Sequence, residues 1–219
     1  MINDVSAGKF DPLMLSTVGS YGVPYISMHM RGEPTTMMES IYTTYNDDST
    51  TMVLEVANEL NKQLQDNVNQ HIPLWLQIID PGIGFAKNYK QNIQLLKPSN
   101  MHLFKKLLND RPLLVGISRK KFLTKIIMDT YHQRILDTAT MNNMNTDHDG
   151  DVDYNCGDNS KPSCSNNIDM SIKVDTSNSY RDIATSAGCI AAMMGGANIV
   201  RVHNVEHTRI ALDTFRTLY

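Results

Sequence analysis

Short apolar runs alternate along this chain with longer amphipathic stretches, and each apolar run ends in polar or charged residues. The runs 25–30 (YISMHM), 74–79 (LWLQII), 113–118 (LLVGIS) and 199–202 (IVRV) have the length and composition of buried strands. Ile2 reads as the tail of a fifth strand. Between them, residues 12–19, 37–69, 91–108, 121–132, 181–194 and 206–218 carry a helix-like pattern. Strands separated by helices predict a parallel sheet of βαβ units, open or closed, because parallel neighbours need a long crossover.

The length of 219 residues fits one sizeable domain, spanning 1–219. One stretch does not fit a core. More than half of residues 141–180 are Asn, Asp or Ser, and the basic residues there are Lys161 and Lys173. Such a segment buries too little apolar surface to offset its ordering entropy, so a disordered polar insertion is expected. Its Asp147, Asp149, Asp151 and Asp153 lack the Gly and Glu spacing of a calcium loop. A net charge of −3 argues against nucleic acid as a bulk electrostatic partner. No apolar run reaches the roughly 18 residues of a membrane span. Three cysteines and no targeting pattern in residues 1–13 lead to the expectation of a cytoplasmic protein without membrane association.

The chemistry is carried by the residues at the end of each strand. Ile2 leads into Asn3 and Asp4; the next strand carries His29 and ends in Arg31-Gly32. The third ends in Asp80-Pro81-Gly82, the fourth in Ser118-Arg119-Lys120, and the fifth carries Arg201 and His203-Asn204. In parallel α/β folds the carboxyl ends of the strands converge on the ligand. Taken singly, Asp80 can be a turn former and His29 a satisfied core histidine. Arg201 is different, because a charge inside an apolar strand must be paired or face a ligand. As a set, Lys120, Arg201 and His203 would make one side of the mouth cationic and suited to pyrophosphate. Asp80 could grip an amidine-like N–H pair of a 2-aminopyrimidinone ring, with Asn3 on the same ring. Neither G-x-G-x-x-G after a strand nor a Walker A sequence is present, which disfavours dinucleotides and P-loop chemistry.

These residues stand in runs that resemble one family. Asn3-Asp4 with Ala7-Gly8, Met28-His29-Met30-Arg31-Gly32, Asp80-Pro81-Gly82-Ile83-Gly84-Phe85-Ala86-Lys87, Gly116-Ile117-Ser118-Arg119-Lys120 and Arg201-Val202-His203-Asn204-Val205 resemble dihydropteroate synthase, in that order. The resemblance implies a (β/α)8 TIM barrel of the pterin-binding type. It also implies a transferase of folate biosynthesis that joins 6-hydroxymethyl-7,8-dihydropterin pyrophosphate to 4-aminobenzoate and is the target of sulfonamides. Carried over, Asp80, Lys120 and Arg201 would be catalytic. Asn3, Asp80 and Lys120 would hold the pterin, with Met28, Phe85 and Gly116 lining the ring pocket. Arg201 and His203 would bind pyrophosphate. Lys121 stands where many members place a Ser that meets the aminobenzoate carboxylate. Mg2+ is the implied cofactor, with no metal ligand expected in this chain, and the last helices imply a homodimer of the full-length enzyme.

A (β/α)8 barrel typically needs about 250 residues. The runs match from the end of the family's fourth strand onward, so the expectation is a barrel incomplete at its N-terminal side: the C-terminal part of a larger, multifunctional synthase. Two other readings compete. A pterin-dependent methyltransferase shares the barrel and pterin grip but does not call for the S-R-K and R-V-H cations. An inactive barrel remnant would follow from the missing strands.

Overall fold

The computed structural model describes residues 1–145 and 177–219. Five short strands are all parallel: β1 (Ile2–Asp4), β2 (Tyr25–Met28), β3 (Gln77–Asp80), β4 (Leu114–Val115) and β5 (Ile199–Val200). β1, β2 and β3 are hydrogen-bonded in that order, β4 pairs with β5, and a parallel bridge from Ile79 to Leu113 joins the two groups. Strand order therefore equals chain order, which is the winding of a barrel wall.

Helices fill the crossovers. They are α1 (Met14–Tyr21), α2 (Ser40–Thr43), α3 (Ser49–Asn69), α4 (Tyr89–Leu96), α5 (Pro98–Leu107), α6 (Lys121–Asn145), α7 (Asn178–Met194) and α8 (Val205–Leu218). The single helical stretch expected over 37–69 is two helices, because Asp48 caps α3 by accepting from the Thr51 N–H at 2.7 Å. The stretch 91–108 is likewise split. Pro98 has no N–H to donate and holds Lys97 at ψ 132°, outside the helical region. The expected strand 74–79 starts later, since Leu74–Leu76 form a 3-10 turn after Pro73.

The proposed insertion 141–180 lies for the most part outside the described residues, and its margins need correction. α6 continues to Asn145, and α7 begins at Asn178 with Ser177 as its N-cap, a residue type favoured there for its short polar side chain. No helix among the described residues is long and apolar enough to cross a membrane.

Alternation along the strands sorts their residues onto two faces. Ile79, Leu113 and Val115 point outward into the main core, where Val53, Val56, Leu60 and Leu64 of α3 meet Met101 and Phe104 of α5. These positions recur at helical spacing along α3, which buries one stripe and leaves Asn58 and Lys62 outside it. Ser27 and Gln77 share this face and form a buried polar knot with Asn67. Asn67 Nδ2 donates to Ser27 Oγ at 2.9 Å and to Gln77 Oε1 at 3.0 Å, and Gln77 Nε2 donates to the Leu64 and Ile72 carbonyls. Slipping the register by one residue would orphan these groups, so the knot fixes how β2 lies on β3. The opposite, concave face then carries Asn3, Ile26, Met28, Ile78, Asp80, Leu114 and, one residue past each of the last two strands, Gly116 and Arg201.

Candidate active site

β1 delivers Asn3 exposed on the concave face, at the outer edge of the arc. Asp4 beside it points the other way and ties the following loop. Its carboxylate accepts from the N–H groups of Ser6 at 2.9 Å and Gly8 at 2.6 Å, and from the Tyr25 hydroxyl at 3.1 Å. Burial alone would raise its pKa; the hydrogen bonds outweigh that and hold it below the ordinary value.

β2 and β3 form the centre. Met28 is the register partner of Asp80, and each is only 2 % exposed. The His29 N–H donates to the Asp80 carbonyl at 2.9 Å, which keeps the two strand ends level. Asp80 Oδ1 accepts from the Gly82 N–H at 2.8 Å. That turn demands glycine twice over: φ at Gly82 is +67°, and a Cβ there would lie 1.9 Å from the His29 carbonyl oxygen. Burial wins and leaves the Asp80 pKa above the ordinary carboxylate value, with the Gly82 N–H, Lys120, Arg201 and Lys87 pulling it only part of the way back. The carboxylate thus sits within the field of three cations.

β4 and β5 bring two of those cations. Arg119 takes the left-handed conformation at φ +58°, and its side chain forms a two-pronged pair with Asp182 of α7 at 2.8 and 2.9 Å. Lys120 comes next, with its Nζ over the Phe85 ring at 4.6 Å and donating to the Ile83 carbonyl. Burial pulls Lys120 down to about 8, with Asp80 opposing and Arg201 adding to the shift. Arg201 is anchored by its N–H to the Val115 carbonyl at 3.0 Å. Its guanidinium lies where a side chain on Gly116 would be, since a Cβ there would be 2.9 Å from Nη2. Gly116 is therefore what lets Arg201 lie across the end of β4. His203 is exposed at the far edge, its N–H and Nδ1 within 3.1 and 2.8 Å of Ser118 Oγ.

The structure thus gathers Asp80, Lys120, Arg201, Gly116 and Phe85 around one concave end. It places Asn3 and His203 at opposite rims. Lys121, the first residue of α6, opens instead on a cleft of about 500 Å³ beside that end, shared with Met37, Phe85, Tyr89, Lys120 and Phe122. Asp80 and Arg201 do not line the cleft. Among the described residues no three His, Cys, Asp or Glu side chains gather into a group that could hold a metal ion. Asp80, ringed by cations and already bonded to Gly82, does not suit Mg2+ either, so these residues do not form a site for it.

Four residues to which sequence reasoning assigned no individual role prove central to this geometry: Asp4, Glu59, Lys87 and Asp182. His29 Nε2 bonds Glu59 of α3 at 3.0 Å, and Arg31 bonds the same carboxylate while its guanidinium lies 3.8 Å above the Tyr45 ring. Glu59 and Asp182 are far in the sequence from the residues they hold; no local pattern marks them.

The Pterin binding enzyme family model matches residues 1–148. The chain belongs to the pterin binding enzyme family. It is 34 % identical over 212 residues to the mitochondrial folate synthesis bifunctional protein of Arabidopsis thaliana, covering 94 % of this chain and 29 % of that protein. To the dihydropteroate synthase of Synechocystis it is 33 % identical, covering 94 % of this chain and 52 % of that one. Its fold matches the crystal structure of dihydropteroate synthase from Stenotrophomonas maltophilia with a TM-score of 0.67 and 27 % identity, over 100 % of this chain and 61 % of that one. The chain thus spans less than a third of the Arabidopsis protein and about half of the Synechocystis protein. Dihydropteroate synthases of the same fold, 24 % identical, have been solved with 4-aminobenzoic acid, with 7,8-dihydropteroate and with a sulfonamide drug. The five-stranded arc is accordingly part of a (β/α)8 barrel of the pterin-binding type, incomplete among the described residues.

Proposed function

We propose that the arc supplies the pterin and pyrophosphate half of a dihydropteroate synthase active site. The observation that carries this is the buried Asp80 carboxylate at the tip of β3, facing Lys120 and Arg201 from the neighbouring strand ends. An ionised carboxylate in that position can accept two N–H groups from a 2-aminopyrimidinone edge, and the cations favour its ionised form against its burial. The pterin plane then extends over Met28 toward Gly116, with Lys120 at its carbonyl and N5 edge.

The chemistry is ionisation of a leaving group. Arg201 and His203 receive the pyrophosphate, and charge on its departing oxygen is stabilised by their fixed positive ends. Positive charge that develops on the pterin is countered by Asp80, which is already desolvated and needs no reorganisation. The amine of 4-aminobenzoate attacks the exocyclic carbon, so the C–O bond breaks as the C–N bond forms, and the amine proton leaves to solvent. The aromatic acid enters by the cleft beside Phe85, where Lys120 and Lys121 offer its carboxylate a cationic wall; sulfonamides would occupy the same place. Cations at Lys120, Arg201 and His203 favour this reaction over methyl transfer, which releases no anion of that charge. The exposed apolar residues Ile183 and Ile210 on α7 and α8 would serve a homodimer contact.

The test is product formation by the full protein given both substrates. Dihydropteroate and pyrophosphate are expected in equal amounts, and Asp80→Asn is expected to lower kcat/KM by at least about a hundredfold. Turnover that survives Asp80→Asn would overturn the assignment.

A further inference from the structure

We propose that Lys87, which the leaving-group chemistry does not use, is the positioning residue of the site: its ammonium group holds loop 81–87 in the shape that presents Asp80 and Phe85, and stands beneath Asp80 as a buried counter-charge. This role rests on reading the site as a pterin site.

Lys87 is 1 % exposed, an unusual place for a lysine, and it has no carboxylate bonded to it. Its three ammonium hydrogens meet three acceptors: His29 Nδ1 at 2.9 Å, the Phe85 carbonyl at 3.1 Å and the Gly82 carbonyl at 3.3 Å. Two of the three belong to the loop that comes after Asp80. That loop turns through left-handed residues at Gly82, Gly84 and Ala86, with φ of 67°, 81° and 48°. Such a path forms no helix or strand ladder, and its backbone bond from the Phe85 N–H to the Gly82 carbonyl spans a single turn. The ammonium closes it from beneath. Asp80 precedes the loop and Phe85 lies within it, so its shape sets both.

The third acceptor extends the clasp into the scaffold. Because His29 Nδ1 accepts from Lys87, its proton resides on Nε2, which donates to Glu59 of α3 at 3.0 Å. Burial, with Lys87 alongside, holds His29 down to about 3, so the ring stays neutral and keeps this tautomer. A line of contacts thus runs from α3 through Glu59, His29 and Lys87 to the turn behind Asp80.

Charge gives the second part of the role. Burial pulls Lys87 down to about 7; Asp80 and Glu59 oppose this by favouring its protonated form, Lys120 and Arg31 add to it, and the Tyr45 ring lies 5.9 Å from Nζ. Asp80 in turn feels Lys120, Arg201 and Lys87. Lys120 and Arg201 lie on the ligand side and will be engaged by pterin and pyrophosphate. Lys87 borders the cleft beside Phe85 but is 1 % exposed, its ammonium taken up by three protein acceptors, so it stays beside Asp80 whether or not ligand is bound.

The experiment measures binding of 6-hydroxymethyl-7,8-dihydropterin pyrophosphate and of inorganic pyrophosphate to the full protein by calorimetry between pH 5 and 9. Lys87→Met keeps the stem and removes the ammonium. Pterin pyrophosphate affinity is expected to fall about tenfold or more at pH 6, below the value of about 7 to which burial pulls Lys87, with the acid limb of binding moved to higher pH because Asp80 has lost a counter-charge. Inorganic pyrophosphate affinity should stay within about twofold, since Arg201 and His203 are untouched. Lys87→Gln, which can still donate to a carbonyl, should fold where Lys87→Met does not and show the same displaced acid limb. A folded variant with unchanged pterin affinity and pH profile overturns the role, as does failure of both variants to unfold cooperatively, which would make Lys87 purely structural. A wild-type protein that binds pyrophosphate but no pterin ester would instead refute the reading of the site, a result distinct from either.

Discussion

The two halves of the arc hold their charged groups by different means. Around β2 and β3, Asp80, His29 and Lys87 are all buried, and their contacts run through the backbone, through one another or through α3. Around β4 and β5 the strands are two residues long, and the cations ride on loops as half-exposed or exposed side chains, Lys120, Arg201 and His203, tied from α7 by the buried Asp182. A carboxylate can remain ionised in a dry pocket only where its partners are fixed. Cations that grip a flexible pyrophosphate can stay in contact with water until it arrives. One half is built to keep its shape and the other to receive.

If this contrast holds, the largest loss of stability should come from the turn of the buried half. Gly82→Ala adds a methyl group against the His29 carbonyl and asks a non-glycine residue to adopt φ +67°. Strain of that backbone state together with overpacking predicts a loss of about 3 kcal/mol. Urea unfolding followed by circular dichroism would register it as a lower midpoint at unchanged slope. A loss under about 0.5 kcal/mol, the range of ordinary surface changes, would show that the turn is not rigid.

A smaller effect tests the link from the buried half to α3. Burial alone would raise the Glu59 pKa, but bonds from His29 and Arg31 more than reverse this and hold it at about 2. A carboxyl depressed in the folded state stabilises above its unfolded value near 4.5, and that stability is lost as pH falls toward 2. Because Glu59 is partly exposed, Glu59→Gln should cost about 1 kcal/mol at pH 7. The cost should vanish near pH 2, so that the two stability curves converge. Curves that stay parallel through the acid range would place the effect in packing.

Legibility in the amino-acid sequence divides along the same line. The barrel wall was readable because apolar runs and helix-like stretches repeat in order, and the turn at Asp80-Pro81-Gly82 because its backbone admits few residues. Arg201 stood out because a charge interrupts an apolar strand. Lys87 did not, since nothing local distinguishes a lysine that will be buried from one left in solvent. Glu59 and Asp182 were equally silent: each lies on a helix among other polar residues, and its partner comes from another crossover. Breaks at Asp48 and Pro98 were written in the sequence as a cap residue and a proline, yet the amphipathic pattern continued across both and hid them.

The smallest expected effect lies in the receiving half, at Asp182. It pairs with Arg119 in two hydrogen bonds and accepts from Asn204 Nδ2 at 3.3 Å, so one carboxylate touches both the loop that bears Lys120 and the loop that bears Arg201 and His203. The bonds from Arg119 hold Asp182 below the ordinary carboxylate value. Its contribution is therefore complete above the unfolded value near 3.8 and disappears as pH falls below it. Asp182→Asn removes the charge while keeping the shape, and Arg119, held at φ +58°, loses half of its anchor. Thermal stability at neutral pH should change little, because Arg119 is 29 % exposed and can turn to water while the Asn side chain still accepts one of its N–H groups. Pyrophosphate affinity should nevertheless fall about two- to threefold, since Lys120 and Arg201 no longer share a support. Pterin contacts at Asp80 should be spared, so a binding loss confined to the pyrophosphate end is the outcome that separates the two halves. A variant that weakens both ends equally would mean that the arc moves as one rigid body, and that the division between a buried frame and a receptive rim is one of exposure alone.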